Sequence, residues 1–149
     1  MSPEENKALV RRYAEELLNQ KNLDLFDEIF APDFVLYGAD PDQVSGVEDL
    51  KQFFVMLRSG FPDFQVTIED LFAAEEDKVV LRFTFRGTHQ GEFMGIGPTG
   101  NRVTMPGIDI FRIADGKIVE LWNQEDVLGM MQQLGAIPEL GHSEEASPT

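Results

Sequence analysis

Asp109 stands in the apolar stretch "GIDIFRI", residues 107 to 113, and Asn123 in "ELWNQED", residues 120 to 126. A carboxylate among isoleucines and a phenylalanine is costly, because leaving water disfavours its charged form. The same desolvation strengthens it as a base, suited to lifting a proton from carbon next to a carbonyl. An Asn nearby donates an amide hydrogen to that carboxylate or to a substrate carbonyl, but does not exchange protons at neutral pH. Each residue also has a structural use. Asp109 can cap a sheet irregularity beside Pro106 and Gly107 or pair with an arginine, and Asn123 can satisfy backbone groups where a ladder stops.

Whether the two meet depends on the turn "ADG", residues 114 to 116. A three-residue loop with Gly116 left-handed pairs Ile113 with Lys117, and hence Asp109 with Leu121 and Gly107 with Asn123. Asp109 and Asn123 are then diagonal neighbours on a face shared with Met105, Phe111, Ile113, Val119 and Leu121. The other face carries Ile108, Ile110 and Arg112 beside Ile118, Glu120 and Trp122. A two-residue loop shifts the pairing and sends Asp109 and Asn123 to opposite sides.

The elements that position this hairpin read as helices followed by a strand meander. Ser2, Pro3 and Glu5 form a capping box with Pro at the first helical position, and Leu9, Tyr13 and Leu17, with Val10, Ala14 and Leu18, continue an apolar stripe to about Asn19. A short helix is expected around Leu23 to Phe30, a brief strand in "DFVLYG", a loop in "ADPDQVSG", and a helix from Val47 to Ser59 that "GFPD" ends. The period then becomes two, with strands at Phe64 to Ala73, Lys78 to His89, Arg102 to Ile113 and Lys117 to Gln124. In the second of these, Val79, Leu81, Phe83 and Phe85 face the interior while Arg82, Thr84 and Arg86 face out. A last helix runs from Asp126, its cap, to Leu134. This segregation argues an α+β fold with a curved antiparallel sheet wrapped over N-terminal helices. Residues 1 to 138 make one domain, and the acidic stretch from 139 to 149 is expected to be disordered.

Composition narrows the chemistry. The 149 residues contain no cysteine, which excludes disulfides and thiolate catalysis, and only two histidines, His89 and His142, so no helix carries a histidine pair for a metal. A formal charge of −15 without a basic cluster argues against nucleic acid and anionic membranes. No apolar run is long enough to span a bilayer and the amphipathic N-terminus does not look like a signal peptide, so a cytoplasmic protein is expected. The glycine-dense "GTHQGEFMGIGPTG" lacks the ending of a P-loop and the strand-to-helix setting of a dinucleotide fingerprint, and is read as backbone turns. Within it His89 either lines a pocket mouth or stabilises the loop by hydrogen bonding. Tyr37 is either a rim residue or a hydrogen-bond donor to substrate. On the outer face, Ile108, Ile110, Ile118 and Trp122 would leave an apolar patch suited to a homodimer contact.

The run "FPDFQVTIEDLFAAEEDKVVLRFTFRGTHQGEFMGIGPTGNRV", then "IFRIADGKIVELW" and "DVLGMMQQLG", resembles the SnoaL-like polyketide cyclases, a branch of the nuclear transport factor two-like superfamily. The similarity extends over roughly Glu5 to Gly135. It implies a conical α+β barrel around an apolar pocket, often dimeric or tetrameric through the outer sheet face. It also implies an intramolecular aldol ring closure without metal or cofactor, using a pocket Asp as acid/base and a nearby His. Carried over by position, the Asp falls on Asn123 and the His on Asp109, and Tyr37 stands where the wider family often has a further His. Both characteristic groups are therefore replaced. A related fold opens epoxides through Asp-activated water with an Asp/Arg/Asp arrangement that has no convincing counterpart in this sequence.

Together these readings give a cofactor-independent enzyme acting on a small apolar carbonyl compound by proton abstraction, through aldol-type cyclisation or isomerisation. Asp109 is the expected base and Asn123 its partner, with Tyr37, His89, Met105, Phe111, Leu121, Phe83 and Phe85 around the substrate. The alternative is a non-catalytic small-molecule-binding domain of the same fold, which loss of both family groups would produce.

Overall fold

A computed structural model describes residues 2–38 and 44–138. Most of the loop expected at "ADPDQVSG" and the whole acidic stretch from 139 onward lie outside the described residues. Helix α1 (Pro3–Arg12) starts at the expected capping box: the Ser2 hydroxyl accepts from the Glu5 amide, and the Glu5 carboxylate accepts from the Ser2 amide. It continues as a π-helical segment, Tyr13–Asn19, whose buried side chains include Tyr13, Ala14, Leu17 and Leu18. A 3-10 turn (Leu23–Leu25) and α2 (Phe26–Ile29) lead into β1 (Phe30–Tyr37). After β2 (Val44–Ser45), α3 (Val47–Gly60) precedes the meander β3 (Gln65–Ala74), β4 (Lys78–Thr88), β5 (Arg102–Ala114) and β6 (Lys117–Glu125), and α4 (Val127–Gln133) follows.

The six strands form one curved sheet in the order β2-β1-β6-β5-β4-β3. β3 to β6 are joined antiparallel as expected, but β1 runs parallel to β6, so the sheet is mixed. The parallel edge follows from topology: the chain leaves β1 to build α3 and returns through the meander, bringing the last strand alongside the first. The helices cover the concave face. Tyr13, Phe26, Phe30, Phe34 and Phe54 meet there, with Tyr13 edge-on to Phe30 at 5.6 Å and to Phe111 at 5.4 Å between ring centroids. Along β4, Val79, Leu81, Phe83 and Phe85 are buried, while Arg82 and Arg86 are exposed.

The β5–β6 turn corrects the expected register. Ala114 pairs with Lys117, leaving a two-residue turn in which Asp115 (φ 52°) and Gly116 (φ 76°) are both left-handed, as a type I′ turn requires. Ile113 then pairs with Ile118, but Arg112 pairs with Glu120, so Val119 is an extra residue in β6. That bulge returns the even and odd positions to the faces a three-residue loop would have given them beyond it. It also turns Ile118 inward, fully buried, and removes it from the outer-face patch expected from the sequence. Two apolar residues three apart on one strand, Ile118 and Leu121, both reach the core only through such a bulge.

Candidate functional site

β5 alternates strictly, so Met105, Gly107, Asp109 and Phe111 all point to the concave side. Asp109 lies directly opposite Asn123, not diagonal to it, with Leu81 of β4 on its other flank. The Asn123 amide nitrogen donates to Asp109 Oδ1 at 2.6 Å and also to Glu125 Oε1 at 3.3 Å. Glu125, half-buried at the end of β6, pairs with Gly107 and shares the face of Asn123 two residues before it. One neutral amide thus bridges two carboxyl groups.

These groups lie at a cavity of about 280 Å³ enclosed by the sheet and the helices. Its wall is apolar and aromatic, with Phe53, Phe54, Phe83, Phe85, Met105 and Leu121 prominent, and Met94 and Val127 at exposed positions. Its titratable lining groups among the described residues are Tyr13, Asp109 and Glu125, with no Lys, Arg or His. Gly107 makes room: a Cβ there would lie 2.4 Å from Cζ of Phe83, so the Phe83 ring lies across the strand only because position 107 has no side chain.

Electrostatics follow from this setting. Burial pushes the Asp109 carboxyl up to about 8, opposed by the Asn123 hydrogen bond and assisted by the Glu125 charge. The carboxylic acid is therefore its main form at neutral pH. Glu125 is also raised, first by burial, with the Asn123 bond acting against it. Tyr13 is held well above the ordinary phenol range by burial and then by the charges of Asp109 and Glu125.

Of the expected site residues, Asp109, Asn123, Phe83, Phe85, Met105 and Leu121 line this cavity. Three do not. Tyr37 is on the outer face, where its hydroxyl donates to Glu120 at 2.9 Å and its ring stacks on Trp122 at 5.2 Å. β1 alternates about its parallel partner, which puts Tyr37 beside Trp122 and not beside Leu121. His89 is fully buried against Phe61 and outside the cavity wall. Its Nδ1 accepts from the Thr99 amide at 3.2 Å and its backbone pairs with Gly100 and Asn101, so it serves the loop-stabilising role. Phe111 is core, packed on Tyr13 behind the cavity. Asp126 caps α4 through the Gly129 amide at 2.9 Å.

Two members were missed from sequence. Glu125 needed only the period of two to be carried one residue beyond Gln124, where the strand was expected to end. Tyr13 reads as one more apolar stripe residue, and only the cavity distinguishes it from Leu17.

The sequence profile of the SnoaL-like polyketide cyclases matches residues 8–134, most of the chain. The chain belongs to this family. No curated protein sequence matches it. Among solved structures, AclR of Streptomyces galilaeus, a proposed hydroxylase, is 34% identical with a TM-score of 0.86, over 99% of this chain and 92% of AclR. IdmH of Streptomyces antibioticus, a proposed polyketide cyclase, is 31% identical with a TM-score of 0.76, over 87% of this chain and 98% of IdmH. A proposed SnoaL-like polyketide cyclase of Jannaschia sp. CCS1 is 29% identical with a TM-score of 0.81, over 91% of this chain and 95% of that one. This SnoaL-like chain therefore has the family's α+β cone, with the Asp109–Asn123–Glu125 group at its cavity.

Proposed function

We propose that this SnoaL-like protein is an enzyme that moves a proton at carbon next to a carbonyl in a small, largely apolar molecule, leading to aldol-type ring closure or isomerisation. One observation carries the reading: a carboxyl group buried in an apolar cavity and held by an amide, at a site where neither group is needed to complete the sheet ladder. Proton transfer of this kind needs a base and a donor for the oxygen on which charge develops, and the side chains here supply both. The apolar wall excludes water and strengthens each of these interactions. The family's acid/base Asp is replaced by Asn123, and the carboxyl has moved to the facing strand, onto Asp109.

The similarity to AclR favours a second outcome for the same carbanion, hydroxylation at that carbon, which would require dioxygen as oxidant and a two-electron reductant to carry its second oxygen atom to water. Labelled dioxygen separates the two, since ring closure and isomerisation incorporate no label. For the shared first step, Asp109→Asn is expected to slow proton exchange at a ketone α-carbon by about a hundredfold, the usual scale of acid/base catalysis. A variant that exchanges at the full rate would make Asp109 structural, and a wild-type chain that exchanges no faster than buffer would leave the non-catalytic binding domain as the better reading.

A further inference from the structure

The structure contains one carboxyl more than a single acid/base group requires. We propose that Glu125 is a catalytic residue, the base of a two-carboxyl pair in which Asp109 is the acid and Asn123 the bridge between them. The proposal rests on the proton-transfer reading above and divides the roles within it.

The geometry starts from the Asn123 amide. A single nitrogen carries two hydrogens, and the two carboxyl oxygens within 3.3 Å of it are Asp109 Oδ1 and Glu125 Oε1. Asn123 therefore fixes both groups at one spacing without adding a charge or taking a proton. No cation lines the cavity among the described residues, and the third titratable group there, Tyr13 from the π-helical segment, is neutral well beyond physiological pH. Two carboxylates sharing one amide in an apolar wall, with no cation to compensate them, resist carrying two charges at once. The pair retains one proton. Burial decides which group retains it. Asp109 is 4% exposed in the middle of β5, whereas Glu125 is half-buried at the strand end, so the charge resides on Glu125 and the proton on Asp109.

In this arrangement Glu125 takes the proton from the carbon next to the carbonyl. The C–H electron pair becomes the new carbon–carbon double bond, the carbonyl π pair moves to oxygen, and that oxygen takes the Asp109 proton. The products are an enol, a neutral Glu125 and an ionised Asp109. The charge has moved from one carboxyl to the other, and the same amide hydrogen-bonds both before and after. The total charge of the site does not change. This also gives position 123 a reason to be Asn, because an Asp there would add a third negative group.

The test uses β-tetralone, a bicyclic ketone with acidic α-protons, and follows its exchange in deuterium oxide by proton NMR across pH. The wild-type rate is expected to rise as Glu125 ionises and to fall above pH about 8 as Asp109 loses its proton. Glu125→Gln is expected to lower the rate about a hundredfold and to abolish the rise. Asp109→Asn is expected to lower it by about the same factor, because an amide can hydrogen-bond the oxygen but cannot give it a proton, while retaining the rise and losing the fall. A wild-type rate that keeps climbing above pH 8, or a Glu125→Gln variant as fast as wild type, would overturn the role of Glu125 and leave Asp109 as the sole base, with the proposed function intact. Carboxyl-carbon NMR provides a readout that needs no ketone. Glu125 should titrate before Asp109, and Glu125→Gln should move the Asp109 titration to lower pH. Asp109 titrating first, or not moving, would equally refute the pair.

Discussion

The Asn123 amide nitrogen lies 2.6 Å from Asp109 Oδ1 and 3.3 Å from Glu125 Oε1, so one neutral side chain is bonded to two carboxyls at once. An acid at position 123 would break both contacts. Asn123→Asp removes the shared donor and adds a negative group, and is expected to destabilise the fold by about 1–3 kcal/mol at neutral pH. The loss should shrink on acidification toward pH 4 as the extra carboxyl takes up a proton. Denaturant unfolding of both proteins at the two pH values measures it.

The Asp109 carboxyl itself makes stability depend on pH. Folded, it holds its proton up to about 8; unfolded, it releases it near pH 4. Unfolding between those values therefore frees a proton, and stability falls as pH rises through that window, by at most about 1.4 kcal/mol per pH unit for one group. Glu125, also raised by burial, contributes with the same sign. Asp109→Asn should therefore gain melting temperature relative to wild type between pH 5 and pH 8. An unchanging difference would mean that Asp109 is ionised in the folded chain.

How much of this was legible in the sequence depends on the kind of signal. The capping box at Ser2, the stripe through Tyr13 and Leu17, and the strict alternation of β4 are local patterns, and each formed as its spacing required. The shared face of Asp109 and Asn123 was also anticipated, but through the wrong turn: the actual loop has two residues, and the bulge at Val119 cancels the shift. Nothing local announces a bulge, because it answers a tertiary demand, the burial of both Ile118 and Leu121. Tyr37 and Ile118 were misplaced for the same reason, since their faces follow from the parallel β1–β6 pairing and from the bulge. Glu125 lay one residue past the expected strand end, where charge and a following turn look like surface.

Gly107 is where the cavity depends on an absent side chain. Gly107→Ala would place a Cβ 2.4 Å from Phe83 Cζ and force the ring toward the cavity. A loss of about 1–3 kcal/mol is expected from such overpacking. Gly97→Ala, where nothing lies within 4 Å of the added Cβ, should stay within about 0.5 kcal/mol and serves as the control.

The outer sheet face carries Ile108, 47% exposed, Ile110, 37%, and Phe72, 52%. We propose that it joins two copies of the chain, since an exposed patch of this kind on a sheet is suited to an isologous contact. Trp122 is a poor probe because its ring is stacked on Tyr37 and lies beneath Lys78. Ile110→Lys is the cleaner substitution. Sedimentation at micromolar concentration should show a wild-type dimer and an Ile110→Lys monomer, and a monomeric wild type would reject the contact.

Proton transfer by Asp109 is read from the rate at which the chain exchanges the α-protons of bound β-tetralone, compared between wild type and Asp109→Asn at the wild-type pH optimum. Circular dichroism and ketone affinity are measured on the same samples. Wild type should exchange above the buffer rate and the variant should lose about a hundredfold, with fold and affinity retained. A wild-type chain that binds the ketone without exchanging it, or an Asp109→Asn variant that exchanges it at the full rate, would rule out Asp109 as an acid/base group.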